Sequence, residues 1–323
     1  MKKMFFLSFV LVLFVSCSQN EVVEMPKSSY ISFTNAFVDN STRADGTVTK
    51  ENISSFTVWG HHGEVLDFRK VNYQKTASGW ELTNSSDTAV TWKTGTYHFH
   101  AFSPANILTE SDLPQYPAPG KEYGLGKVGY TNNGTTDFVY AYQTRSIGPA
   151  ALDPNPDKSA VGLTFHHLLS RVKFTFKNNS NQNITISDAT IIAPGSASID
   201  LSNPNDRSTW VWSGFAAVKA FEFGGANVTA KSVGAASNVL FLFPSTNDVK
   251  LRFLINVPGL DSKEVVITLT AQEFKLGYSY NLIANISDDD ITSVPDIIEF
   301  TVESVDGWIG ETTPEWTDLV VKP

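Results

Sequence analysis

Cysteine is almost absent from this chain of 323 residues, and the single one is Cys17. The fold therefore cannot depend on disulfides, and a chain of this length can be stable through burial of its core alone. Clusters of lysine and arginine are missing as well, and the formal net charge is −9. Because a nucleic-acid-binding surface needs a basic patch, we expect no nucleic-acid partner.

Helical periodicity and catalytic motifs are also scarce. Beyond the N-terminal segment, no apolar pattern with the spacing of an α-helix continues for several turns. No serine stands in a Gly-x-Ser-x-Gly setting, and neither a phosphate-binding loop nor a carboxylate pair suited to glycoside hydrolysis is recognisable. We therefore expect a protein that is not an enzyme and that needs no cofactor.

The histidines and an acidic run are the remaining candidates for chemistry. His98 and His100 share one face of a predicted strand, which could bind a metal ion, but no cysteine or carboxylate can be placed beside them. We expect no metal site there. The run from Asp288 to Asp290 lacks the spacing of an EF-hand calcium loop and is predicted to be a solvated loop.

The N-terminus has the pattern of an export signal. Lys2 and Lys3 precede an apolar run over residues 4–15, which is too short for a permanent membrane span and typical of a signal peptide. Residues 14–17 resemble a bacterial lipobox, so residues 1–17 are interpreted as a lipoprotein signal peptide that is acylated at Cys17. The alternative is an ordinary signal peptide that happens to contain a cysteine. Residues 18–43 are interpreted as a tether that resembles a propeptide.

Aromatic and β-branched residues are abundant, and they predict an all-β protein. Short alternating runs are separated by Gly, Pro, Asn and Asp at the spacing typical of β-sandwiches. A linker rich in Pro and Asp, residues 148–157, divides the chain into an N-terminal module, residues 44–150, and a C-terminal module, residues 151–323. We expect each module to be a β-sandwich.

Within the C-terminal module, residues 163–178 predict the first strand, because Val172, Phe174 and Phe176 alternate with polar residues. Residues 184–192 and 197–201 predict two separate strands. Trp210 and Trp212 share a strand face, where the indole rings could stack on a sugar or pack in an aromatic core.

Two motifs, together with the lipobox, resemble the fimbrillin superfamily. Residues 97–104 have the sequence YHFHAFSP, and residues 165–172 have the sequence FHHLLSRV. Their order and separation resemble the fimbrillin-like lipoproteins related to the minor fimbrillin. This resemblance implies two transthyretin-like β-sandwich domains and a structural subunit, at the stalk or the tip, of a type V fimbria on the cell outer membrane.

The resemblance also implies a mode of assembly. In that family an Arg-specific, trypsin-like protease removes an N-terminal segment, and a donor strand from a neighbouring subunit fills the groove that this opens. Arg43 and Ala44 stand where the cleavage would fall, whereas Arg69 and Arg145 lie inside the first module and are poorer candidates. The implied partners are other pilin subunits, the protease, and the outer membrane through the lipid.

Two C-terminal segments could supply a donor strand. In one, Ile298, Phe300 and Val302 alternate with polar residues, although this segment could equally be the last strand of its own module. The other is residues 316–321. A different function also stays open: a surface lipoprotein adhesin that binds a carbohydrate or a host ligand outside any pilus.

Overall fold

The computed structural model of the chain describes residues 30–38, 52–84, 89–113, 123–149, 152, 157–235, 237–244, 248–269, 274–292 and 299–307, and only the backbone at 35–38 and 299–307. These residues form one short α-helix, α1 (Asp288–Thr292), and eighteen strands, so the all-β prediction is confirmed. The strands are β1 (Phe33–Val38), β2 (Ser55–His62), β3 (Val65–Thr76), β4 (Gly79–Leu82), β5 (Gly95–Ser103), β6 (Lys127–Thr131), β7 (Val139–Ile147), β8 (Val161–His167), β9 (Ser170–Asn178), β10 (Ile184–Asp200), β11 (Trp212–Glu222), β12 (Ala226–Val228), β13 (Ser232–Val233), β14 (Leu240–Leu242), β15 (Val249–Asn256), β16 (Lys263–Leu269), β17 (Tyr278–Ile286) and β18 (Glu299–Gly307).

The N-terminal module is a single seven-stranded sheet in the order β1-β8-β7-β5-β2-β3-β4. Its neighbours pair antiparallel, except β1 and β8, which run parallel. The sheet curls over its own apolar face, because Phe33 of β1 packs against Tyr73 of β3 with ring centroids 5.0 Å apart. Similarly, Phe56 of β2 packs against Phe165 of β8 at 5.8 Å. A single sheet thus supplies both layers around this core.

The C-terminal module is a sandwich of two sheets. One has the order β11-β10-β15-β16, with β6 and β12 also paired to β10, and the other has the order β13-β9-β17-β18, with β14 paired to β9. The two sheets pack face to face, since Phe176 of β9 contacts Phe253 of β15 with ring centroids 5.2 Å apart. Burial alternates along β15, whereas β9 is buried on both faces over most of its length and contributes Val172, Phe174 and Phe176 to this core.

A separate apolar cluster joins the two modules. It includes Trp59 and Tyr140 from the first sheet and Trp212 and Phe243 from the C-terminal module. In addition, β6 precedes β7 in the chain but pairs with β10 of the second module. The modules therefore share both an apolar core and a strand pairing.

The prediction of one strand over residues 163–178 is wrong. The chain leaves the first sheet at the end of β8 and enters the other module at the start of β9. Leu168 and Leu169 make the crossing and are fully buried in the cluster between the modules, where the Leu168 amide donates to the carbonyl of Phe138 at 2.9 Å. The change of module therefore falls later in the chain than the predicted boundary at residue 150.

Two smaller predictions are also corrected. Residues 184–192 and 197–201 are parts of one long strand, β10, which stays continuous past Pro194 because its neighbour β11 pairs with it there. The acidic run is the short helix α1 rather than a loop. Asp290 is buried and accepts hydrogen bonds from the amide and the hydroxyl of Ser287 at 2.7 Å and 2.6 Å, so this carboxylate ties the residue before the helix to its first turn.

Candidate assembly site

The structure describes only some of the residues predicted to act in assembly. Cys17, Arg43, Ala44 and Ile298 lie outside the described residues, while Phe300 and Val302 are described by their backbone. What the structure does show is the strand that precedes Arg43. This strand, β1, lies inside residues 18–43, which were interpreted as a tether, and nothing in its sequence identified a partner strand.

β1 is an end strand of the first sheet and pairs with β8 in parallel. Phe33 lies opposite Val161, and the amide of Val161 donates to the carbonyl of Ser32 at 2.8 Å. The register shifts between Thr34 and Phe37, which marks a bulge. Just before the strand, the amide of Ile31 donates to the carbonyl of Val90 at 2.8 Å. The backbone of β1 is therefore held by partners on both sides at its start.

The side chains of Ile31 and Phe33 anchor β1 in the core. Each is only 5% exposed, and both belong to the apolar cluster inside the curled sheet. Four aromatic rings surround Phe33, at centroid distances of 5.7 Å to Phe56, 6.2 Å to Phe68, 5.0 Å to Tyr73 and 5.5 Å to Phe99. All four contacts are edge-to-face, an arrangement that adds to the gain from burial.

A cavity lies beside β1, where the two ends of the curled sheet face each other. Its volume is about 570 Å³, and its lining includes Ser32 and Thr34 of the β1 segment and Lys75 and Trp80 of the β3–β4 hairpin. The sheet is therefore incompletely closed beside β1.

β18 is the end strand of its own sheet. It pairs antiparallel with β17, with Phe300 opposite Ala284 and Val302 opposite Leu282. In this structure the backbone at Phe300 and Val302 therefore belongs to a strand of the chain's own C-terminal module. This matches the alternative that the segment is the last strand of its own module.

Trp210 and Trp212 lie in the cluster between the modules. Each is 5% exposed, Trp212 packs against Phe243 with ring centroids 4.7 Å apart, and its indole N–H donates to the carbonyl of Leu168 at 2.7 Å. A stacked sugar needs an exposed indole face. The burial of both rings matches the alternative of aromatic core packing.

His61, His98 and His100 form a buried cluster with tyrosines on the face of the first sheet opposite its apolar core. His98 is hydrogen-bonded to the hydroxyl of Tyr142, and His100 to the hydroxyl of Tyr140, each at 2.7 Å. Burial, reinforced by the neighbouring His98, lowers the pKa of His61 to about 4. Burial, reinforced by His61, lowers the pKa of His100 to about 3. These imidazoles are neutral at physiological pH and serve as packing groups.

Within the described ranges, no group of three His, Cys, Asp or Glu side chains is placed to hold a metal ion. In the same part of the chain, no helix has the length and apolar character needed to span a bilayer.

Comparison with solved structures shows what this fold is similar to. One is a candidate cell adhesion protein from Bacteroides ovatus, with 15% identity and a TM-score of 0.53 over 88% of this chain and 100% of that one. Another candidate cell adhesion protein, from Bacteroides uniformis, has 15% identity and a TM-score of 0.50 over 87% and 100%. A fimbrial protein from Bacteroides vulgatus has 14% identity and a TM-score of 0.50 over 85% and 99%. At these identities the likeness shows a shared fold.

Comparison by sequence shows the family. No curated protein matches the sequence, whereas the family model described as fimbrillin-like matches residues 42–304. Since that match spans most of the sequence, the chain belongs to the fimbrillin-like family.

Proposed function

We propose that this protein is a structural subunit of a type V cell-surface fimbria, exported to the outer membrane as a lipoprotein acylated at Cys17 and assembled by donor-strand exchange. The observation that carries the proposal is the position of β1. β1 is an end strand of the first sheet, and Arg43 lies between β1 and β2 in the sequence. A cut after Arg43 would leave β1 attached by non-covalent contacts alone.

The magnitudes favour release of β1 after such a cut. Burial of Ile31 and Phe33 stabilises the strand by roughly 1.5–3 kcal/mol for each side chain, and each ladder hydrogen bond adds about 0.5–1.5 kcal/mol. A separate fragment, unlike a tethered strand, must also overcome an association cost of roughly 4–15 kcal/mol. The stabilisation from burial and hydrogen bonds and the cost of association are comparable. The freed fragment would therefore dissociate in dilute solution and leave an apolar groove.

Such a groove would recruit another strand. The edge of β8 would expose unpaired amides and carbonyls next to an apolar trough, which is the template that strand addition uses. A longer strand from a neighbouring subunit could fill it and stay for a long time without a covalent bond.

The other two arginines that were considered for cleavage lie in paired strands. Arg69 lies within β3, and Arg145 lies within β7, where it forms an ion pair with Asp157 at 2.7 Å. A protease binds its substrate in extended form, so cleavage at either position would first require a paired strand to leave its sheet. This requirement counts against Arg69 and Arg145 as processing sites.

The test uses the soluble chain from residue 18 and an Arg-specific protease. We expect a product that begins at Ala44, release of the fragment that contains β1, and oligomers that resist SDS. The matched control is Arg43→Gln, which should be neither cut there nor assembled. If the chain is cleaved cleanly at Arg43, loses the fragment and stays monomeric, assembly by strand exchange is refuted.

A carbohydrate-binding adhesin outside a pilus is the alternative. Its ligand site would have to lie elsewhere than Trp210 and Trp212, because both indoles are buried. No observation on the described residues favours it over the pilus subunit.

A further inference from the structure

The cavity of about 570 Å³ between β1 and the β3–β4 hairpin has no role in the proposed function. Ligand sites in proteins typically enclose roughly 300–1,000 Å³, so this space is large enough for a small molecule. One side of the cavity is formed by residues 32–34, and the other by residues 75–80. Because these segments lie far apart in the chain, the cavity is a product of the folded first module.

Trp80 gives the cavity an aromatic wall. It is half-buried, and its ring packs against Phe56 with centroids 4.6 Å apart. Since Trp80 also lines the cavity, part of the indole is open to a ligand there. Trp210 and Trp212, in contrast, are each only 5% exposed. An accessible indole can stack on the C–H groups of a sugar ring.

Lys75 stands beside this indole on the same face of the hairpin. It lies directly opposite Trp80 in the β3–β4 ladder, and directly opposed residues project to the same side of a sheet. Lys75 also follows the core residue Tyr73 by two positions, which places it on the core-facing side. Glu81 comes directly after Trp80 and projects to the opposite side. The cavity therefore receives an ammonium group without the neighbouring carboxylate.

Hydroxyl groups make up much of the remaining lining. Ser32 and Thr34 lie on the β1 side, and Thr76 and Ser78 lie at the turn of the hairpin. Each hydroxyl can donate and accept a hydrogen bond, as the hydroxyls of a sugar can. A site for an apolar ligand is lined mainly by hydrophobic side chains. The hydroxyls of this lining favour a polyhydroxylated ligand instead.

We propose that this cavity binds a pyranose that carries a carboxylate, such as a hexuronic acid or a sialic acid. The sugar ring stacks on the indole of Trp80, and its carboxylate accepts a hydrogen bond from the ammonium group of Lys75. An ammonium group has three donors, so Lys75 can hold the ligand beside another partner. The inference goes beyond the proposed function and does not rest on it, because the site exists while β1 is in place.

Binding is measured by ligand-observed NMR on the soluble chain from residue 18, without protease. The probes are the methyl glycosides of glucuronic acid and of N-acetylneuraminic acid, and methyl glucoside is the neutral comparison. The acidic glycosides should bind with a dissociation constant of about 1 mM, given the usual binding free energy per non-hydrogen atom. Methyl glucoside should bind about fivefold more weakly, because it lacks the charge pair.

Lys75→Gln tests the role of charge. It should weaken binding of the acidic glycosides by about fivefold and leave binding of methyl glucoside unchanged. Lys250→Gln is the matched control, since Lys250 is an exposed lysine on β15 of the other module, and it should change neither. If Lys75→Gln leaves binding of the acidic glycosides unchanged, the proposal is overturned.

Trp80→Leu tests the stacking contact. Leucine keeps an apolar side chain against Phe56 but offers no flat ring to a sugar. Binding of all three glycosides should therefore weaken by about tenfold. Urea unfolding checks that the variant is folded, and Lys75→Gln, at an exposed position, keeps the proposal testable if it is not.

Three further results would overturn the proposal. The first is the absence of binding by any glycoside at concentrations about tenfold above the expected dissociation constant. The second is unchanged binding by folded Trp80→Leu, which would place the ligand elsewhere. The third is displacement of the glucuronide by an equal concentration of sodium acetate, which would indicate a site for a simple anion. Since β1 stays in place in every measurement, none of these results bears on strand exchange.

Discussion

Replacing Phe33 by Ala should loosen β1 without any proteolysis. The side chain is 5% exposed and packs against four aromatic rings, with the nearest centroid, that of Tyr73, at 5.0 Å. Truncation of a buried phenylalanine costs about 3–5 kcal/mol, because the transfer free energy is lost and a cavity remains. Because β1 is an end strand of its sheet, this loss of stability acts mainly on β1. We therefore expect β1 to detach before the rest of the module unfolds.

The assay combines urea unfolding with hydrogen exchange at the β1 amides. Phe33→Ala should lower the midpoint of unfolding and raise exchange at β1 by more than about 100-fold, and the uncut variant should form oligomers slowly. Tyr30→Ala is the matched control, since Tyr30 precedes the same strand but is 52% exposed, and it should cost under about 0.5 kcal/mol. Equal exchange at β1 in both variants would refute the claim that Phe33 holds the strand.

Three further predictions concern the folded state. Lowering the pH from 7.5 to 5 should reduce the free energy of unfolding by about 2 kcal/mol for each of His61 and His100. Their pKa values of about 4 and about 3 lie below the unfolded value of 6.5, so the unfolded chain binds more protons than the folded chain in this range. Asp137→Ala should cost about 1–3 kcal/mol in urea unfolding, since the buried ring of His167 loses the carboxylate to which it is hydrogen-bonded. Trp212→Phe should cost about 1–3 kcal/mol in the same assay, since the carbonyl that accepts its N–H stays buried.

Each of these predictions has a control. His61→Gln should flatten the pH dependence by about half, and an unchanged slope would contradict the assignment. The carboxylate of Asp137 lies 2.9 Å from His167 with both side chains almost fully buried, so Asp261→Ala, at an exposed position, serves as its comparison and should cost much less. For Trp212, a loss of glycan binding at unchanged stability would contradict a packing role.

The class of fold could be predicted from the sequence because strand formation leaves a local signal. Alternating apolar residues in β9 and β15 mark one buried face, and the structure places both in the core of the C-terminal sandwich. Local alternation cannot say which strands become neighbours, because pairing depends on contacts far apart in the chain. The parallel partner of β1, a strand more than 120 residues later, was therefore not predictable from its pattern.

The break between β8 and β9 did leave a signal that the first interpretation missed. Leu163 and Phe165 place the buried face on odd-numbered residues, whereas Val172 and Phe174 place it on even-numbered ones. A regular strand cannot change phase, so the chain has to bulge or bend between them. The fully buried pair of leucines at 168 and 169 hid the change, because an apolar run looks like an uninterrupted strand.

This bend also connects the two ends of the proposed assembly mechanism. β8 is the strand that would hold an incoming donor, and β9 follows it after two leucines. β9 pairs with β17, and β17 pairs with β18, which contains one of the two segments that could supply a donor strand. A load applied at β8 would therefore pass through the two leucines into the sheet that contains β18, and the buried pair of His167 and Asp137 lies at that crossing.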